Sequence, residues 1–180
     1  IARNLPARPV EVATEGAKVQ LTCGSSRFSL IQMPVSDYPQ LPTQAEASGS
    51  IPGDVFTQAV HQVSIAADRG DTLPILTGVR VEIEGEKVTM LATDRYRLAM
   101  REFTWSPGSS GISHVSLIPA RTLSEIGKTF AHSGTIGVSI VCGDDRELIA
   151  FRADKKTVTS LLIKGNFPPV KRLFPESVEN

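Results

Sequence analysis

A unit of strand, proline, helix and three further strands can be read twice between residues 50 and 165. The first copy opens on Ser50-Ile51-Pro52 and the second on Ser116-Leu117-Ile118-Pro119. After the first proline, Phe56, Ala59, Val60, Val63 and Ala67 recur at helical spacing and give one apolar stripe. The pattern predicts a helix over 54–69, closed by Gly70, where a left-handed residue is favoured. After the second proline, Leu123, Ile126, Gly127 and Phe130 mark a helix over 119–132, closed by Ser133-Gly134. A duplicated unit predicts pseudo-twofold symmetry. An amphipathic helix must bury its stripe against another layer, so two helices should cover one face of two antiparallel sheets of three or four strands. The fold class is therefore α+β, built from duplicated β-α-β-β-β units.

The strands have their own signature. Ile75, Val79, Val81 and Ile83 fall on alternate positions, hence on one face of a strand. Glu84-Gly85-Glu86 makes the next turn, with glycine accepting positive φ. Val88, Met90 and Ala92 keep the period, Thr93-Asp94-Arg95 turns again, and 96–103 runs back. Arg80, Glu82, Glu84, Lys87, Thr89 and Arg97 belong to the opposite face. Residues 105–113 read as a loop crossing between the two halves. The second copy supplies strands at 136–142, 147–152 and 157–163, with turns at Gly143-Asp144-Asp145 and Ala153-Asp154-Lys155.

Residues 1–44 hold a hairpin pattern: Val10 and Val12, then 18–23, a Gly24-Ser25-Ser26 turn, and 27–33. So few strands are marginal alone. The run EGAKVQLTCGSSRFSL echoes EGEKVTMLATDRYRLA of the later meander, which suggests the tail of a preceding domain of similar build. Residues 34–50, rich in Pro, Ser, Gln and Gly, read as a linker, and so does the Pro-rich stretch 166–180. The first residues carry neither an initiator Met nor an apolar secretory stretch, so a segment of a longer chain is expected.

Composition bounds the function. An apolar fraction of 41% supports a packed core, and no apolar run has bilayer-spanning length. Cys23 and Cys142 stand apart, which fits two buried thiols in a reducing cytoplasm. The formal net charge is +0. A tight nucleic-acid binder is normally basic, so any DNA contact must come from segregated charge and be weak. No phosphate-loop, metalloprotease or nucleophile-elbow motif occurs, and His61, His114 and His132 stand alone, two of them expected on polar helix faces. Asp144-Asp145 and Asp94 read as turn formers. Arg121 and Glu125 have the spacing of an ordinary i,i+4 surface pair. No catalytic residue, metal ligand or cofactor is expected.

LPILTGVRVEIEGEKVTMLATDRYRLA resembles the middle domain of the bacterial DNA polymerase III beta subunit, the sliding clamp, with LTGV followed by ATDRYRLA as its most telling pieces. FPPVKRLFP resembles that family's link into its third domain, and the chain is most similar to actinobacterial versions. The resemblance implies the DNA clamp fold. It divides the chain into 1–44 (last strands of the first domain plus linker), 45–165 (second domain) and 166–180 (linker into the third). It implies a ring-shaped homodimer that encircles duplex DNA without reading sequence. Such a ring tethers DNA polymerase III alpha and the clamp loader through their clamp-binding motifs, as a non-catalytic processivity factor.

The resemblance also implies site residues. A partner-peptide pocket would use Leu76, Thr93, Arg97, Leu98, Pro168, Arg172 and Leu173, with Arg95 and Tyr96 at its rim. Arg69, Arg121 and Lys128 would face DNA from the helices. Arg27, Phe28 and Leu30 in GSSRFSL would lie at the dimer interface. A second reading from a different class is a duplicated α+β scaffold that binds peptides and never encircles DNA.

Overall fold

The computed structural model describes residues 1–38, 45–70, 72–142 and 147–174, except for the side chain of Cys142. The turn expected at 143–145 and the end of the C-terminal linker lie outside these residues. The chain forms two compact units that divide between residues 43 and 44, and each is described by itself.

In the first unit, β1 (Glu11–Glu15), β2 (Lys18–Cys23) and β3 (Ser26–Ile31) form an antiparallel sheet in the order β1-β2-β3. Cys23 is buried, its thiol directed at the carbonyls of Pro6 (3.5 Å) and Arg8 (3.7 Å). β3 is an edge strand. Phe28 pairs with Leu21 and Leu30 with Val19 on one face, while Arg27 pairs with Thr22 on the other. The sheet therefore cannot present all three side chains on one side.

The second unit contains the duplication. β4 (Gly49–Pro52) leads into α1 (Gly53–Ser64), followed by β5 (Gly78–Glu84), β6 (Lys87–Thr93) and β7 (Leu98–Thr104). After β8 (Ser106–Pro107), β9 (Ser113–Pro119) leads into α2 (Ala120–Thr129), followed by β10 (Thr135–Cys142), β11 (Glu147–Ala153) and β12 (Lys156–Leu161). The first strand of each copy crosses to the other copy's sheet. β9 pairs with β5 and β4 pairs with β10, giving the orders β7-β6-β5-β9 and β12-β11-β10-β4-β8. This exchange ties the halves together. Prolines at both helix starts, Pro52 and Pro119, end the strands with φ values suited to a turn into helix.

One core serves both copies. Phe56, Val60 and Val63 of α1 and Leu123 and Ile126 of α2 meet Val79, Val81, Ile83, Val88, Met90 and Ala92 from one sheet and Ile136, Val138, Ile149 and Phe151 from the other. The Phe56 and Phe151 rings lie 5.2 Å apart, within range of a favourable aromatic pair. The helices touch where Gly127 meets Val60; a Cβ on Gly127 would come within 3.2 Å of that side chain.

Several boundaries differ from the sequence expectation. α1 ends at Ser64, well before Gly70, because Ala66 and Ala67 turn back into the core and the Asp68 amide donates to the Leu76 carbonyl at 2.9 Å. Pro74–Thr77 is a short 3-10 turn, so β5 begins only at Gly78. Ile75 consequently packs with Leu91, Leu117 and Phe167, on the opposite side from Val79 and Val81. Gly49 and Ser50 belong to β4 instead of the linker. The crossing 105–113 contains β8, paired to β4. The turn Gly85 has φ 58, as its role there requires.

Candidate functional site

Apart from Leu76, whose carbonyl accepts from the Asp68 amide beside the helix-side groove, the two sets of residues implied by the sequence lie on opposite sides of the sheet β7-β6-β5-β9. Even-numbered Val88, Met90 and Ala92 of β6 turn toward the helices, whereas odd-numbered Leu91 turns outward. The same alternation sends Arg80 and Glu82 outward from β5 and Leu117 outward from β9.

On the helix side, Arg69, Arg121 and Lys128 line one groove of about 600 Å³, together with Ser64, Asp68, Thr77, Ser124 and Glu125. The structure thus brings the three cations to one place. Its ion pairing differs from the expected Arg121–Glu125 pair: Lys128 Nζ bonds Glu125 Oε1 at 2.8 Å. Both side chains are largely exposed, so this pair contributes little to stability. The Lys128 hydrogen bond is the main cause that lowers the Glu125 carboxyl, and the Arg121 charge acts in the same direction. Asp68 is occupied with the Gly70 amide at 2.9 Å. Among the described residues neither Arg69 nor Arg121 has an ion-pair partner. The groove therefore holds two guanidinium groups outside any ion pair among the described residues, with the Glu125 carboxylate nearby.

On the outer side, cross-strand register lays out rows. Leu117, Arg80, Leu91 and Met100 stand opposite one another across β9, β5, β6 and β7. One step along, Val115, Glu82, Thr89 and Glu102 form a second row. A third pair, Thr93 and Leu98, closes the β6–β7 end. The stretch after β12 lies over these rows: Phe167, Val170 and Phe174 pack with Leu91, Leu117 and Met100. A 3-10 turn, Val170–Leu173, leaves Arg172 and Leu173 exposed. Nothing in the linker's local pattern marks Phe167, Val170 and Phe174 as the residues that make this contact, because the described stretch is irregular apart from its 3-10 turn.

The β6–β7 turn is tightly held. Thr93 Oγ1 donates to the Arg97 carbonyl at 2.7 Å and accepts from the Arg95 amide at 3.1 Å. Asp94 Oδ1 accepts from the amides of Tyr96 (3.0 Å) and Arg97 (2.7 Å), and Oδ2 takes the Arg97 guanidinium at 2.9 and 2.8 Å. These donors, the Arg97 amide first, hold the Asp94 carboxyl down at about 2. Arg95 takes a positive φ of 80 and Tyr96 is 90% exposed. Leu98 and Pro168 are half-buried, and Leu173 is 69% exposed. Leu76 is only 4% exposed, so it acts first as core.

Beside the linker start, a cavity of about 370 Å³ is lined by Arg80, Val115, Leu117, Glu147, Lys164 and Phe167, among others. His114 is partly buried on β9, and burial pushes its imidazole down against the opposing Glu147 charge. His61 and His132 are exposed, His132 just past the end of α2 instead of on it. Among the described residues, no group of three or more His, Cys, Asp or Glu could hold a metal ion. No helix among them is long and apolar enough to cross a membrane.

Comparison with known proteins matches this geometry. The family model for the DNA polymerase III beta subunit, central domain, matches residues 50–169, and that for its N-terminal domain matches residues 1–42. The beta sliding clamp of Streptomyces coelicolor is 48% identical over 97% of this chain and 47% of its own length. That of Micrococcus luteus is 49% identical over 98% of this chain and 56% of its own. The chain thus spans about half the length of the curated relatives it matches. In structure, the DNA polymerase sliding clamp of Bacillus subtilis superposes with a TM-score of 0.79 at 26% identity, over 97% of this chain and 46% of that one. With the duplicated unit, the exchanged strands and these matches agreeing, this chain belongs to the DNA polymerase III beta subunit family, the bacterial sliding clamps.

Proposed function

We propose that this chain is the central part of a DNA polymerase processivity factor. Residues 1–44 are the last strands and linker of a first clamp domain, 45–165 the second domain, and 166–180 the link into a third. In the complete protein, two copies form a ring around duplex DNA, with Arg27, Phe28 and Leu30 on the edge strand at the junction. The ring works in the cytoplasm as a non-catalytic subunit. It tethers DNA polymerase III alpha and the clamp loader by peptides received at Leu76, Thr93, Arg95, Tyr96, Arg97, Leu98, Pro168, Arg172 and Leu173.

The observation that carries this reading is the convergence of Arg69, Arg121 and Lys128 on one groove of the helix side, with the linker on the opposite sheet face. Three exposed cations can touch phosphates without reading bases. Solvated contacts of this kind are salt-screened and weak, which lets a duplex move past. A formal net charge of +0 is then no obstacle, because a closed ring is retained by topology instead of affinity.

The test is retention. A full-length clamp containing this segment, loaded on nicked circular DNA, should stay bound, and linearising the circle should release it by sliding off the ends. Equal retention on both forms would count against encirclement. Peptide binding without any loading would favour the scaffold reading instead.

A further inference from the structure

We infer that Glu82 is a positioning residue for the partner-peptide pocket, acting through Lys171 to set the 3-10 turn that presents Arg172 and Leu173. The inference rests on the pocket reading proposed above and deepens it. The turn at Val170–Leu173 has two means of attachment. Val170 and the neighbouring Phe167 and Phe174 lie on the apolar row of Leu117, Leu91 and Met100. Such contact is non-directional: it fixes how deep the segment lies, not its place along the row. Lys171 supplies the direction. Its ammonium stands 3.6 Å from Glu82 Oε2, in the adjoining polar row.

Glu82 suits the role. Its side chain is only 15% exposed, and Oε1 accepts from Arg80 Nε at 2.6 Å, so the sheet itself holds the carboxylate still. The remaining oxygen is the one that meets the linker. Glu102 also feels the Lys171 charge, but it is engaged by Lys87 at 2.7 Å and Thr89 at 3.3 Å, and it is more exposed. Lys171 is thus held on the acidic side of the apolar row. Arg172 and Leu173 follow it directly and face solvent. Neither Glu82 nor Lys171 belongs to the set of residues expected to touch the peptide.

The experiment uses a full-length clamp containing this segment and a fluorescein-labelled clamp-binding peptide of DNA polymerase III alpha. Affinity is read by anisotropy for Glu82→Gln, Lys171→Gln, the double variant and the pocket variant Leu98→Ala, at low and high salt. The expected result is a loss of about two- to five-fold for each single Gln variant, the scale of a partly exposed ion pair. The double variant should be no weaker than either single one, since both remove the same interaction. The salt dependence of peptide affinity should be shallower in all three. If Leu98→Ala weakens binding while the Gln variants bind as the wild type does, or their losses add, the inference is overturned and the pocket stands. If Leu98→Ala binds unchanged, the pocket reading fails and the inference falls with it. Should Glu82→Gln fail to fold, Lys171→Gln decides alone, because its side chain is half-exposed on the linker.

Discussion

Asp94 closes its turn with four donors converging on one carboxylate, and this makes the turn pH-sensitive. Its folded value is depressed from 3.8 to about 2. A depressed acid contributes stability that is complete above its unfolded value and drains as pH falls through the folded one. Asp94→Asn should therefore lower the melting temperature at neutral pH. It should also flatten the loss of stability between pH 3.8 and about 2; a melting profile as steep as the wild type's would refute this account. Close packing gives a second prediction. A Cβ on Gly49 would lie 2.4 Å from Trp105 Cζ3 and 2.7 Å from the Ser106 carbonyl oxygen. Gly49→Ala should cost about 1–3 kcal/mol in denaturant unfolding, the scale of an overpacked core. Asp94 was legible in sequence as a turn former because its side chain acts on its own neighbours. Gly49 was not: its constraint comes from Trp105, far along the chain, and no local pattern records it. Leu76 shows the same limit, since a leucine in a candidate pocket and one in a core look alike until burial is known.

At the scale of elements, what could be read was what repeats locally. The alternation in β5 and β6 gave the buried face, and the helical stripes gave α1 and α2. The ends were set by tertiary contacts instead. α1 stops at Ser64 because the chain after it hydrogen-bonds back to Leu76 and buries Ala66 and Ala67, and propensity carries no trace of that. Exchange of β4 and β9 between the sheets was equally invisible, since pairing partners depend on topology more than on composition. One consequence is measurable. α2 has ten residues, too few to be stable alone, and relies on Leu123 and Ile126, both almost fully buried. Leu123→Ala should cost about 2–5 kcal/mol in denaturant unfolding. Because one core joins both copies, the loss should appear as a single transition with coincident signals from both sheets. Separate transitions would mean that the halves do not share a core.

For the whole molecule, the two proposed surfaces for DNA and for peptide stand, Leu76 apart, on opposite sides of one sheet, which separates their predictions. Replacing Arg69, Arg121 and Lys128 together by Ala should weaken binding to short linear duplex. For every phosphate no longer neutralised, the slope of log affinity against log salt should become shallower by about 0.9. If the proposed pocket is right, the same triple variant should bind the polymerase peptide as the wild type does, because every proposed peptide residue except Leu76 lies away from the groove. If the proposed ring forms, retention of a full-length clamp carrying the triple variant on a nicked circle should also be unchanged, since a ring that encircles its track does not hold it by affinity. A variant that loses linear binding and circle retention in equal measure would mean that charge, and not closure, keeps this protein on DNA.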